Sequence, residues 1–192
     1  IILLDGGMGQ ELIKNSKSDP HPLWSTYVML KEPELVKKAH VDFIEAGARI
    51  VTLNTYSTTP ERLEANNLSD KFSFFHKKAI DLAREAIDHT QKDVLIAGCL
   101  PPLVWSYRPD KAPDYERCIE LYLQIVREQE DFVDLFICET MASIKEAKAA
   151  VMAAKTSGKT IWCGLTLEDN ENCELRSGEK LIDCVNELQS LG

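Results

Sequence analysis

Five short apolar runs, at 1–5, 49–54, 93–98, 133–138 and 160–166, alternate with longer segments whose apolar residues recur at helical spacing. The helical segments run from Pro33 to Ala46, about Asp70 to His89, about Asp114 to Asp131, Ser143 to Ser157, and about Gly178 to Leu191. The apolar runs are rich in Val, Ile and Leu with little alternation, as in strands covered on both faces. Repetition of strand then helix predicts parallel βα units with right-handed crossovers.

Helix ends carry matching punctuation. Ser143 and Glu146 read as a capping box, and Gly47 and Gly158 stand where a left-handed cap is wanted, each shortly before a strand. Gly192 occupies the same slot after the fifth helix, so a further strand is expected beyond it. The expected fold is therefore α/β: a (β/α)8 TIM barrel, with about five βα units present. Residues 1–192 would form the N-terminal part of a single barrel, whose usual length is roughly 250 residues. The first residue, Ile1, already lies inside a strand, so a few preceding residues are expected as well. A complete five-stranded doubly wound sheet is the competing architecture.

A chain of 192 residues with 44% hydrophobic content can bury a substantial core. Its formal charge of -9 argues against nucleic acid or an anionic membrane as partner and favours a cationic or zwitterionic small molecule. No apolar stretch is long enough to span a bilayer and no secretory leader is recognisable, which points to the cytoplasm. Six cysteines occur without any C-x-x-C pair, so buried reduced thiols are expected rather than a metal site.

Chemistry in parallel α/β folds gathers where strands end. Here the ends read Asp5-Gly6-Gly7, Asn54-Thr55-Tyr56, Gly98-Cys99-Leu100-Pro101-Pro102, Glu139-Thr140, and Thr166 leading toward Glu168 and Asp169. Two carboxylates, Asp5 and Glu139, thus face one rim. Such a pair can act as acid and base or hold a ligand ammonium. Glycines beside Asp5 would let a ligand approach the backbone. Trp24 and the run Trp105-Ser106-Tyr107-Arg108 lie in loops suited to walling a pocket, where an aromatic face attracts a sulfonium or quaternary ammonium group. Trp162 and His40 are expected in the core. A dinucleotide fingerprint fails because Leu12 stands where G-x-G-x-x-G needs its third glycine, and no phosphate loop or nucleophile elbow occurs.

The chain resembles the homocysteine S-methyltransferase family. The resemblance rests on LDGGMGQEL at 4–12, PLWS at 22–25, His40-x-x-Phe43-Ile44-x-Ala46-Gly47-Ala48 running into TLNTY at 52–56, AGCLPP at 97–102, ICETMASIKEA at 137–147, and Arg176-Ser177-Gly178-Glu179. It implies a (β/α)8 barrel that transfers a methyl group from S-methylmethionine, betaine or a methylated folate to homocysteine, giving methionine. Asp5 and Glu139 would hold the homocysteine amino group, with Gly6 and Gly7 helping to place the amino acid. Trp24 would sit near the methyl donor, and Asn54 and Tyr56 would belong to the pocket. Cys99 departs from the serine of many members. The resemblance also implies zinc held by three cysteines, and all three would lie beyond Gly192, so this segment alone is expected to be inactive. A non-catalytic amino-acid-binding barrel, or a barrel enzyme using Asp5 and Glu139 as acid and base, stays open. The donor and the oligomeric state are not legible in the sequence.

Overall fold

A computed structural model describes residues 1–192. Four strands, β1 (Ile50–Thr52), β2 (Leu95–Leu100), β3 (Leu135–Met141) and β4 (Thr160–Leu165), form one parallel sheet in sequential order. Eight helices accompany them: α1 (Met8–Asn15), α2 (Trp24–Lys31), α3 (Pro33–Glu45), α4 (Pro60–Glu64), α5 (Phe72–Thr90), α6 (Tyr115–Gln129), α7 (Ile144–Lys155) and α8 (Leu181–Gln189). Helices α3, α5, α6 and α7 each lead into the next strand, the expected crossover grammar.

The sheet is lined differently on its two faces. Residues Val51, Ile96, Phe136 and Cys138 join the large core under the helices, whereas Ile50, Ala97, Leu135 and Ile137 form a small cluster on the other face with Trp162 against it. This period of two explains the apolar runs without alternation: both faces are covered. Trp162, expected in the core, packs half-buried on the small cluster.

Several expectations are corrected. Residues 1–5 make no full strand; Leu4 forms a single parallel bridge to Ile50, supported by Arg49 N–H to Leu3 O (2.8 Å) and Asp5 N–H to Ile50 O (3.0 Å). Its outer edge has no partner strand, which leaves Ile1 to Leu4 exposed. Helices α1, α2 and α4 lie where only loops were expected, because short helices of eight or five residues draw their stability from packing rather than from a long periodic pattern. Only half of the capping box forms. Ser143 Oγ accepts from Glu146 N–H at 3.3 Å, but the Glu146 carboxylate turns away to Leu103 N–H at 2.9 Å. The left-handed caps at Gly47 (φ 107°) and Gly158 (φ 68°) are present.

His40 is fully buried as expected, yet neither ring nitrogen has a hydrogen-bond partner, and burial pulls its pKa down to about 4. The ring is therefore neutral. All six cysteines are free; Cys99, Cys118, Cys138 and Cys184 are buried, Cys163 is half-buried and Cys173 is exposed. No helix is long and apolar enough to cross a membrane.

Candidate functional site

All seven residues singled out in the sequence, Asp5, Gly6, Gly7, Trp24, Asn54, Tyr56 and Glu139, line one cavity of about 460 Å³ at the carboxyl ends of the strands. Their convergence reports on the shape of the sheet. Asp5 leaves the edge beside β1 and Glu139 belongs to β3, so a flat sheet would separate them by three strand spacings, about 14 Å. Instead both line the same cavity, and the Asp5 charge contributes to raising Glu139, as expected of a curled sheet.

Asp5 is fixed by the neighbouring strand. Its Oδ2 accepts the Thr52 N–H at 2.7 Å and its Oδ1 the Thr52 hydroxyl at 3.1 Å. Burial outweighs these bonds and raises its pKa to about 6. Glu139 is raised to about 7, first by burial and then by the Asp5 charge, with a hydrogen bond from Cys99 acting in the opposite direction. Each carboxylate therefore lacks a cation, and a ligand ammonium entering between them would supply it.

The placement of Glu139 departs from expectation. The sequence ends this strand at Cys138, whereas β3 runs to Met141 and its pairing with β4 shifts register between Cys138 and Met141. Thr140 adopts φ 57°, a left-handed conformation unusual for a β-branched residue. A bulge of this kind re-aims a side chain at a strand end, and here it brings both Glu139 and Thr140 onto the cavity. Trp24 (φ 46°) and Tyr107 (φ 62°) are also left-handed and also line the cavity. Three of the six left-handed non-glycine residues thus line this one cavity.

At Gly6 the close neighbour is protein rather than open space for a ligand: a Cβ there would stand 2.7 Å from Phe43 Cε1. Asn54 is buried, and its Nδ2 donates to Ser25 O at 3.1 Å, which ties α2 to the end of β1. Tyr56 Oη shares a 2.7 Å hydrogen bond with Ser106 Oγ, and its ring lies 5.3 Å from the Arg62 guanidinium. Trp24 is 48% exposed at the head of α2, consistent with a wall rather than a core position.

Sequence reading missed Thr52, although its place two residues before Asn54 and beside Asp5 was a usable signal. It also missed a buried network behind the site. Gln129 Oε1 accepts from Cys99 N–H at 3.0 Å, while its Nε2 lies 3.3 Å from Thr55 Oγ1 and 3.1 Å from His76 Nδ1. No group of three or more His, Cys, Asp or Glu residues is placed to hold a metal ion. The zinc implied by the resemblance thus finds no ligand set among these residues.

A family model described as homocysteine S-methyltransferase matches residues 2–192. The chain is 29% identical over 201 residues to a homocysteine S-methyltransferase of Escherichia coli, covering 96% of this chain and 64% of that protein. It is 27% identical over 206 residues to homocysteine S-methyltransferase YbgG of Bacillus subtilis, covering 98% and 65%. The chain thus spans slightly less than two thirds of these curated relatives. Among solved structures, the metallated form of the Escherichia coli homocysteine methyltransferase MmuM superposes with a TM-score of 0.86 at 28% identity, over 99% of this chain and 70% of that one.

Proposed function

The chain belongs to the homocysteine S-methyltransferase family, and on that basis we propose that it forms the amino-acid-binding part of a (β/α)8 barrel that methylates homocysteine. The reading is carried by the two half-buried carboxylates, Asp5 and Glu139, that converge on one cavity without a cation of their own. An ammonium group placed between them replaces repulsion with two charge-assisted contacts. Asp5, already anchored through Thr52, fixes the direction of approach, and Glu139 closes the pair from the bulge in β3.

In this reading the thiol of the bound amino acid points toward the mouth, where Trp24 and Tyr107 provide aromatic faces for a cationic methyl donor. The homocysteine thiol gives up its proton to solvent, and a new S–CH3 bond forms on its sulfur as the methyl bond to the donor sulfonium or ammonium breaks, the bonding pair staying on the donor heteroatom. The products are methionine and the demethylated donor. Holding the two substrates in line is the main contribution of these residues, since no proton moves to or from carbon. Zinc remains part of the proposal through the resemblance, with ligands outside residues 1–192. The expected setting is the cytoplasm, with small-molecule substrates and no nucleic-acid or membrane partner.

The test is methyl transfer by the complete protein, with homocysteine and a panel of S-methylmethionine, betaine and methylated folate. Methionine formation from at least one donor is expected. Homocysteine binding without turnover on any donor would instead support an amino-acid-binding barrel.

A further inference from the structure

The segment that follows β2 is held by side chains rather than by a strand ladder. Pro101 and Pro102 bring no N–H of their own. Pro101 O accepts from Tyr122 Oη at 2.9 Å, Pro102 O from Arg62 Nη2 at 3.1 Å, and Leu103 O from Thr59 Oγ1 at 2.6 Å. The one available donor, Leu103 N–H, goes to Glu146 Oε1 at 2.9 Å. Thr59 caps α4 and Arg62 lies within it, while Tyr122 belongs to α6 and Glu146 to α7. Three helices thus grip three consecutive residues.

Burying a carboxylate is costly unless its bonds are made, and Glu146 is only 2% exposed. A connection that merely joined β2 to α6 would not need it. Three residues past Leu103, however, the chain reaches Ser106 and Tyr107 on the cavity wall. Their outer side is tied as well, Ser106 to Tyr56 at 2.7 Å and the Tyr107 ring to the Arg176 guanidinium at 4.9 Å. Tyr107 is 55% exposed at the mouth, whereas Asp5 and Glu139 sit at the strand ends.

We infer that Glu146 is a positioning residue: by fixing Pro101–Leu103 it sets the Ser106–Tyr107 wall, and with it the affinity for the second substrate at the mouth. The amino-acid pocket and the methyl-transfer step itself do not depend on it. This inference rests on the methyl-transfer reading above.

Steady-state kinetics on the complete protein, with homocysteine and S-methylmethionine, test it. Glu146→Ala should raise the donor KM about tenfold while kcat and the homocysteine KM stay within about twofold. Glu146→Gln keeps an acceptor for Leu103 N–H and should restore the donor KM. Ser106→Ala removes the tie to Tyr56 without disturbing the core, and should raise the donor KM by about threefold; it decides the matter if Glu146→Ala fails to fold. An unchanged donor KM in Ser106→Ala and in any folded Glu146→Ala, or an equal rise for both substrates, overturns the inference. Absence of turnover in the unsubstituted protein sinks the methyl-transfer reading and this inference with it.

Discussion

The floor of the cavity and its rim are built by different means. Floor residues take their positions from backbone pairing: Asp5 through its N–H to Ile50 O of β1, and Glu139 from the bulge where β3 shifts register against β4. The rim, from Trp24 to Tyr107, hangs on side-chain ties such as Tyr56 to Ser106 and Glu146 to Leu103. Backbone pairing places its groups wherever the strands themselves form, through a full ladder for Glu139 and through the single Leu4–Ile50 bridge for Asp5. A rim held by single hydrogen bonds can change with one substitution, which suits the part of a pocket that distinguishes one donor from another.

The sharpest way to break this contrast is to remove charge from the floor. Glu139→Gln should weaken homocysteine binding about a hundredfold, near the upper range for a hydrogen bond to a charged group, and leave thermal stability unchanged or higher. Calorimetric titration with homocysteine, with a melting curve alongside, measures both. Next in size is an insult to the ladder itself. A Cβ at Gly98 would lie 2.5 Å from Phe136 Cε1 and 2.7 Å from Gln129 Oε1, so Gly98→Ala should cost about 2 kcal/mol in urea unfolding through overpacking. Near-neutral stability would mean that this part of the floor yields as easily as a loop.

Acidity separates the two regions with less force. The floor binds an ammonium only when its carboxylates are ionised, and their pKa values are raised to about 7 and about 6. Affinity for homocysteine should therefore be full above about pH 8 and fall as pH drops through these values, by about tenfold between about pH 7.5 and about pH 6.2. Affinity for a permanently cationic donor, measured in the same buffers, should change less, because the donor meets aromatic faces rather than the carboxylate pair. The smallest expected effect is at the rim: Trp24→Ala should raise the donor KM about fivefold, the size of a cation–π contact, with homocysteine binding unaltered. A larger effect on homocysteine than on the donor would place Trp24 with the floor.

The same division explains what could be read from the sequence. Strand exits were legible because parallel βα grammar fixes where polar residues must emerge, and all seven expected residues do share one cavity. The bulge was not legible. Cys138-Glu139-Thr140-Met141 contains no glycine to announce a left-handed turn, and only pairing with β4 creates the shift. Gln129 was hidden for a related reason: a polar residue within a helical pattern reads as solvent-facing until another element comes to bury it; Glu146 read as the partner of Ser143 in a capping box, and only the approach of Leu103 turns its carboxylate elsewhere. The grip on Pro101–Leu103 is invisible in chain order because its four partners lie between 21 and 44 positions away.

The small cluster of Ile50, Ala97, Leu135, Ile137 and Trp162 has a kinetic consequence. Because the strands run parallel, these residues precede the exits and stand beneath the cavity, with Ile137 reaching its lining. With its lower end lined by this cluster, the cavity is approached, in the proposed reading, from the mouth. If the proposed methyl-transfer reading holds, an amino acid seated between Asp5 and Glu139 would arrive before a donor occupies the mouth, and demethylated donor would depart before methionine. Initial-rate patterns should then show compulsory order, with methionine competing against homocysteine and the spent donor not competing with it.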